Sequence, residues 1–269
     1  MPELPEVETT RRGIAPHVLG RTVRELVVRQ PKLRWPVPET LLQVLPGQTC
    51  REVSRRAKYL LLRFDHGTVL IHLGMSGSLT VVDVTRPGPH DHVDIRFDDG
   101  ATLRLNDPRR FGCVLWLEGN PMAHPLLRDV GPEPWAEGLG EHLYARSRGR
   151  RQAVKHFIMD GKVVAGVGNI YANEALFRAG IHPGRAAGRI SLGRYEALAG
   201  QVVAVLEAAL KAGGTTLRDF RGGDGKPGYF QQELAVYGRP GAPCPRCGTA
   251  IRPGRHGQRS TFFCPRCQR

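Results

Sequence analysis

With 269 residues, 41% of them hydrophobic, the chain can bury a sizeable core and has room for two domains. Its formal net charge is +14, and only six of its 39 basic residues are lysine (Lys32, Lys58, Lys155, Lys162, Lys211 and Lys226). The rest are arginine, the bidentate phosphate ligand, so a polyanion, above all nucleic acid, is the expected partner. No stretch is apolar for long enough to span a bilayer and no basic-then-apolar leader opens the chain, which excludes a helical membrane protein and predicts a cytoplasmic one.

The chain opens MPELPEVETT, two carboxylates and two prolines in six residues. Proline suits the first turn of a helix and acids suit its positive end, so a helix is predicted over 5–18. Val7, Ile14 and Val18 form its apolar stripe, and Gly13 and Pro16 stand near its close. Strand signals follow. TVRELVV and LLLRF are short and rich in branched residues, while RFDHGTVLIHL and DIRFDDGATLRL each read as strand, Asp/Gly turn, strand. With FGCVLWLEG they predict a β-sandwich or barrel over roughly residues 20–118. Lys58 falls within this strand pattern.

Residues 119–138 carry four prolines and three glycines and read as a domain linker. Beyond them the period turns helical. RRQAVKHFIMD and NIYANEALFRAG predict two short helices joined by GKVVAGVG, and Lys155 on the first reads as a solvated charge. ISLGRYEALAGQVVAVLEAALKAGG predicts a long helix that Gly213 can end. In GVGNIYANE two glycines precede Asn169, a candidate cap, at a helix N-terminus that favours an anion. The two short helices and their turns make a unit suited to gripping a DNA backbone.

Cys244, Cys247, Cys264 and Cys267 are spaced C-x₂-C-x₁₆-C-x₂-C. Two tight turns brought together by a hairpin close a tetrahedron of thiolates, predicting one structural Zn²⁺ with no open position for a substrate. Cys50 and Cys113 lie in strand patterns and are expected in the core. From Arg239 to Arg269 there are seven arginines and no acid, so this ribbon is expected to touch phosphate.

MPELPEVET, RRAKYLLL around Lys58, HLGMSGSL around Met75, DPRRFG at 107–112, GVGNIYANEALFRAGIHP and the cysteine ribbon occur together and in order. In this the chain resembles the formamidopyrimidine-DNA glycosylases along essentially its whole length. The sister branch, similar to endonuclease VIII, usually opens Pro-Glu-Gly-Pro; the Pro-Glu-Leu-Pro here favours the purine-lesion branch.

The resemblance implies an α+β fold in three parts: an N-terminal helix with a β-sandwich (1–130), a helical helix–two-turns–helix domain (131–238) and a zinc ribbon (239–269). It implies a monomeric bifunctional glycosylase and abasic-site lyase acting on oxidised purines in duplex DNA. Pro2, exposed by loss of Met1, would be the nucleophile. An α-amine with pKa about 7.7–8.0 is roughly a tenth unprotonated at neutral pH, far more than lysine at about 10.4. Glu3 resembles the general acid/base, with Glu6 in support. Lys58 and Arg259 resemble the proton donors of β- and δ-elimination. His90, Arg109 and Arg150 match DNA contacts, as do His72, Asn169 and Tyr237. Met75, Arg109 and Phe111 match the side chains that fill the gap left by an extruded base, where Met75 and Phe111 would otherwise read as core. The stretch 213–230 resembles a loop that closes over the lesion. The alternatives are an oxidised-pyrimidine glycosylase and a non-catalytic zinc-ribbon DNA-binding protein.

Overall fold

A computed structural model describes residues 2–83, 86–213 and 234–269. The glycine-rich stretch expected to close over a lesion lies, from residue 214 onward, outside the described residues. The chain divides into two compact units: of the described residues, 2–128 with the end of the long helix from 210 fall in the first, and 129–209 with 234–269 in the second.

The first unit opens with α1 (Leu4–Val18). It closes at Val18, as the sequence predicts, with Pro16 inside its last turn. Pro16 is exposed, so the one carbonyl it leaves without a helical donor faces solvent, and the Leu19 N–H still donates to Ala15 O at 3.0 Å. Eight strands follow: β1 (Val23–Val28), β2 (Glu52–Arg56), β3 (Tyr59–Arg63), β4 (Thr68–His72), β5 (Ser78–Val82), β6 (Asp91–Phe97), β7 (Thr102–Asn106) and β8 (Cys113–Leu117). A single-turn helix, α2 (Leu41–Val44), interrupts the run after β1. The strands form two antiparallel sheets, β1-β6-β7-β5 and β2-β3-β4-β8. Between them lies one core, to which α1 contributes Val7, Ile14 and Val18 along the predicted stripe.

The second sheet is buried on both faces, which explains why TVLIH and CVLWL are continuous rather than alternating apolar runs. Its outer side packs Leu61, Leu70, Leu115 and Leu117 against Leu127. The proline-rich segment is therefore pinned at this leucine. On the first sheet, Asp94 receives two Arg104 hydrogen bonds of 2.8 Å and one from Arg29 at 2.6 Å. Burial alone would raise the Asp94 carboxyl, but the arginines win and hold it at about 2.

The second unit holds α3 (Leu139–Ser147), α4 (Val154–Met159), α5 (Asn169–Arg178) and α6 (Leu192–Lys211), then the hairpin of β9 (Arg252–His256) and β10 (Arg259–Phe263). The α4–α5 connection is not loose: Val163, Val164, Ala165 and Val167 are all buried. Gly213, φ +77°, follows α6 in the left-handed region that suits a helix stop.

Candidate active site and nucleic-acid interface

In the first unit, strand register collects the candidate residues at one end of the sandwich. Across the second sheet Arg56 pairs with Tyr59, Tyr59 with His72 and His72 with Cys113. Across the first, Asn106 pairs with both Ser78 and Asp91. The β2–β3 turn, the β4–β5 and β7–β8 crossovers and the segment before β6 therefore share an end. They carry Lys58, Met75, Arg109 with Phe111, and His90 respectively.

Helix α1 points the same way. Gly20 N–H donates to Cys50 O at 2.8 Å, Arg11 to Val53 O at 3.2 Å, and Arg55 lies 3.4 Å from Glu8. This progression runs α1 antiparallel to β2 and brings its N-terminus toward the Lys58 end. There Glu3 is the N-cap, and its N–H donates to Glu6 Oε2 at 2.8 Å while the Glu6 N–H serves the Glu3 side chain, a capping box. Pro2, Glu3 and Glu6 are all buried, so two carboxylates are held out of bulk water at the positive end of a helix.

Lys58 is not inside a strand. It occupies the second position of a two-residue turn whose first, Ala57, takes φ +51°. That left-handed conformation is uncommon for alanine and lets Arg56 and Tyr59 pair directly. His72 accepts the Gly74 N–H at Nδ1 (3.0 Å), and its ring lies 4.9 Å from that of Tyr59. Burial, with Lys58 and then Arg34 adding positive charge, pushes the imidazole down to about 4.

Phe111 is 42% exposed, so it is not core, and Met75 is half-buried. The Arg109 guanidinium sits 5.0 Å from the centre of the Phe111 ring. His90 and Arg109 are exposed. An exposed cation, an exposed phenyl ring and a half-buried thioether therefore stand on two adjacent crossovers. Asp107, which sequence reasoning passed over inside DPRRFG, is fully buried and accepts the Gly112 N–H at 2.7 Å.

In the second unit Asn169 does not cap α5. Gly168 is the N-cap and Asn169 the first helical residue, its Oδ1 buried without a hydrogen-bond partner among the described residues. Its carbonyl accepts Asn173 Nδ2 at 2.6 Å, and Asn173 Oδ1 accepts the Phe262 N–H at 2.8 Å. The Phe262 ring meets Tyr237 edge-on at 5.2 Å. Asn169, Tyr237 and the ribbon are thus tied through one chain of contacts. Arg259 is exposed on β10, opposite His256. Arg150 is exposed beyond α3, where its Nε donates to Arg146 O at 3.0 Å.

One residue here differs from the sequence reading, and a second went unread in it. Lys155 is wholly buried and donates to Ser260 O (2.6 Å) and Thr261 Oγ1 (2.8 Å), so it is a structural cation and not a solvated one. Glu174, also buried, accepts the N–H groups of Ala235, Val236 and Tyr237 at 2.8–2.9 Å. Its only sequence signal is an acid beside Asn173 within a mostly apolar stretch of α5.

The four ribbon cysteines place their sulfurs within 4.8 Å of one another. Cys244 and Cys267 Sγ are 3.9 Å apart, Cys247 and Cys264 Sγ 3.5 Å. A tetrahedral zinc with Zn–S bonds of about 2.3 Å sets sulfurs about 3.8 Å apart, so the donor set fits that ion. Without a cation the four could not all be thiolates. Hydrogen bonds with Thr249 bring Cys247 down to about 6, whereas burial and then the neighbouring sulfurs push Cys267 up to about 12. Cys50 and Cys113 are buried in the sandwich, where burial pushes both thiols up to about 11.

A sandwich fronted by a capped helix, a helical unit with a tight two-turn helix pair and a four-thiolate ribbon is the architecture of the helix–two-turns–helix DNA glycosylases. Three family profiles match in order: the formamidopyrimidine-DNA glycosylase N-terminal domain at 1–114, its H2TH domain at 130–221, and the zinc finger found in FPG and IleRS at 241–269. A formamidopyrimidine-DNA glycosylase of Syntrophotalea carbinolica is 64% identical over the whole of both chains. The MutM (FPG) protein of Thermus thermophilus superposes with a TM-score of 0.90 at 38% identity, over 99% of this chain and 98% of that one. Lactococcus lactis Fpg in complex with Fapy-dG-containing DNA (a mutant) and with abasic-site DNA gives 0.92 and 0.91 at 32% identity, over all of both chains. The chain belongs to the formamidopyrimidine-DNA glycosylase family.

Proposed function

We infer that the protein is a bifunctional glycosylase and abasic-site lyase of base excision repair that removes oxidised purines, 8-oxoguanine and formamidopyrimidines, from duplex DNA. Pro2, with Met1 removed, attacks C1′ of the damaged nucleotide. The bond to the base breaks, and Glu3 protonates the opening sugar. The secondary amine leaves an iminium with a fixed positive charge, an electron sink for the eliminations that follow. Loss of a C2′ proton expels the 3′ phosphate, with Lys58 as proton donor, and Arg259 serves the second elimination at the 5′ side. His72, His90, Arg109, Arg150, Asn169 and Tyr237 hold the DNA. Met75, Arg109 and Phe111 occupy the gap that the extruded nucleotide leaves in the stack. The four cysteines hold Zn²⁺ and keep the ribbon folded.

One observation carries this reading: the convergence of the α1 N-terminus, the Lys58 turn and the Met75 and Phe111 crossovers at one end of the sandwich. Borohydride tests it, because it reduces an iminium to a stable amine and so traps enzyme on DNA. Peptide sequencing of the adduct is expected to find Pro2. An adduct on Lys58 overturns the assignment of the nucleophile, and no adduct overturns the lyase. Glu3→Gln is expected to lose base removal yet keep attack on a preformed abasic site. Paired 8-oxoguanine and thymine glycol duplexes separate purine from pyrimidine preference.

A further inference from the structure

The two crossovers that carry Met75 and Phe111 touch backbone to backbone. Gly74 has φ +63°, and a Cβ there would stand 2.5 Å from both Gly112 N and Phe111 C. A Cβ on Gly112 would stand 2.5 Å from His72 O and 3.0 Å from Asp107 Oδ2. No side chain can replace either hydrogen without separating the loops. The Gly74 N–H is at the same time held by His72 Nδ1.

Asp107 closes this arrangement from below. Its Oδ2 accepts the Gly112 N–H at 2.7 Å, its carbonyl accepts from His92 Nε2 (2.9 Å) and the Arg110 N–H (3.1 Å), and its own N–H donates to His90 O at 3.0 Å. The Gly112 carbonyl accepts the Arg34 N–H at 3.1 Å. Between these anchors Arg110 is held at φ +55°, a left-handed conformation that a non-glycine residue keeps only when its surroundings enforce it. The exposed side chains of Arg109 and Phe111 thus project from a backbone fixed on both sides.

We propose that Asp107 is a positioning residue: through Gly112 and Gly74 it clamps the two crossovers together, so that Met75, Arg109 and Phe111 are already aimed before DNA arrives. This rests on the gap-filling reading of those three residues. Extruding a nucleotide leaves a hole that must be filled while the base is leaving, and an unclamped loop must be ordered at that moment. A preformed abasic site has no base to expel and depends less on the clamp.

The test compares excision of 8-oxoguanine from duplex DNA with cleavage of a preformed abasic site. Asp107→Ala is expected to slow excision roughly tenfold and abasic cleavage by no more than about twofold, the loss of one charge-assisted hydrogen bond. Asp107→Asn keeps an oxygen for the Gly112 N–H and is expected to restore most of the rate. Combined with Phe111→Ala, the Asp107→Ala loss should be smaller than the product of the two single losses, because one acts through the other. Equal loss on both substrates, or losses that multiply, would overturn the clamp. So would an impaired Phe111→Ala beside an unimpaired Asp107→Ala. If Phe111→Ala excises like the parent, the gap-filling reading itself fails. Should Asp107→Ala not fold, hydrogen exchange in the unaltered protein still decides: the Gly112 amide is expected to be protected without DNA, and free exchange there refutes the proposal.

Discussion

Lys155 and Thr261 are joined by a hydrogen bond of 2.8 Å between a wholly buried ammonium and a wholly buried hydroxyl. One stands in the first turn of α4 and the other in the middle of β10, so the bond fastens the ribbon hairpin to the helical unit. The neighbouring Ser260 carbonyl, at 2.6 Å, takes a second proton of the same group. His156 adds a third link, its Nε2 lying 2.7 Å from His256 O.

Lys155→Met should therefore destabilise the second unit by about 3 kcal/mol, because it removes two hydrogen bonds from a charged donor, one of them to the buried Thr261 hydroxyl, each worth about 1.5–3 kcal/mol. A thermal melt is expected to fall by several degrees. Lys155→Arg should not rescue it, since the planar fork does not fit a close-packed site shaped for an ammonium. A melt unchanged in Lys155→Met would show that the ribbon is held by its other contacts.

Removal of the metal should act on the ribbon and leave the sandwich alone. Among the described residues the ribbon's apolar set is short, Val236, Ile251 and the cysteines with Phe177 of α5, so zinc carries much of its folding. Cys247→Ser, or chelation, is expected to release one zinc per chain by elemental analysis and to weaken binding of duplex DNA. Near-ultraviolet signals from Trp116 in the sandwich should persist. A native preparation with no metal and full DNA affinity would defeat this.

His72 supplies a pH test with a definite sign. Its folded value of about 4 lies below the ordinary 6.5, so the fold favours the neutral ring. The associated stability is fully present above about 6.5 and is lost as pH falls through that value toward 4. With Nδ1 already accepting from Gly74, the neutral ring carries its proton on Nε2 and stays a hydrogen-bond donor at neutral pH. Nuclear magnetic resonance of the imidazole should show a ring that is still mostly neutral at about pH 5 in the free protein, where an ordinary histidine is mostly protonated. Lys58→Gln should move the midpoint upward by removing a like charge; an unmoved midpoint would mean that burial and Arg34 set it without Lys58.

The sequence by itself determined whatever depends on neighbours along the chain. The periodicity of Val7, Ile14 and Val18 defined the buried face of α1, and the Asp/Gly turns located the β3–β4 and β6–β7 hairpins. The cysteine spacing defined a closed tetrahedral donor set, because two C-x₂-C turns on one hairpin have few other ways to meet. Long ordered motifs carried the family, since function had been written into local runs such as MPELPEVET and DPRRFG.

Only the tertiary structure decided which distant groups meet and which are hidden from water. Lys155 looks like a surface charge until α4 and β10 enclose it, and Lys58 looks like a strand residue until Arg56 and Tyr59 pair around it. Phe111 looks like core until register places it on an exposed crossover. Gly74 and Gly112 read as ordinary loop glycines. Their role comes from two crossovers brought side by side by the pairing of β4 with β8 and of β5 with β7. Such pairings join residues far apart in the chain, and burial follows from them, so no local pattern of residue types can encode either.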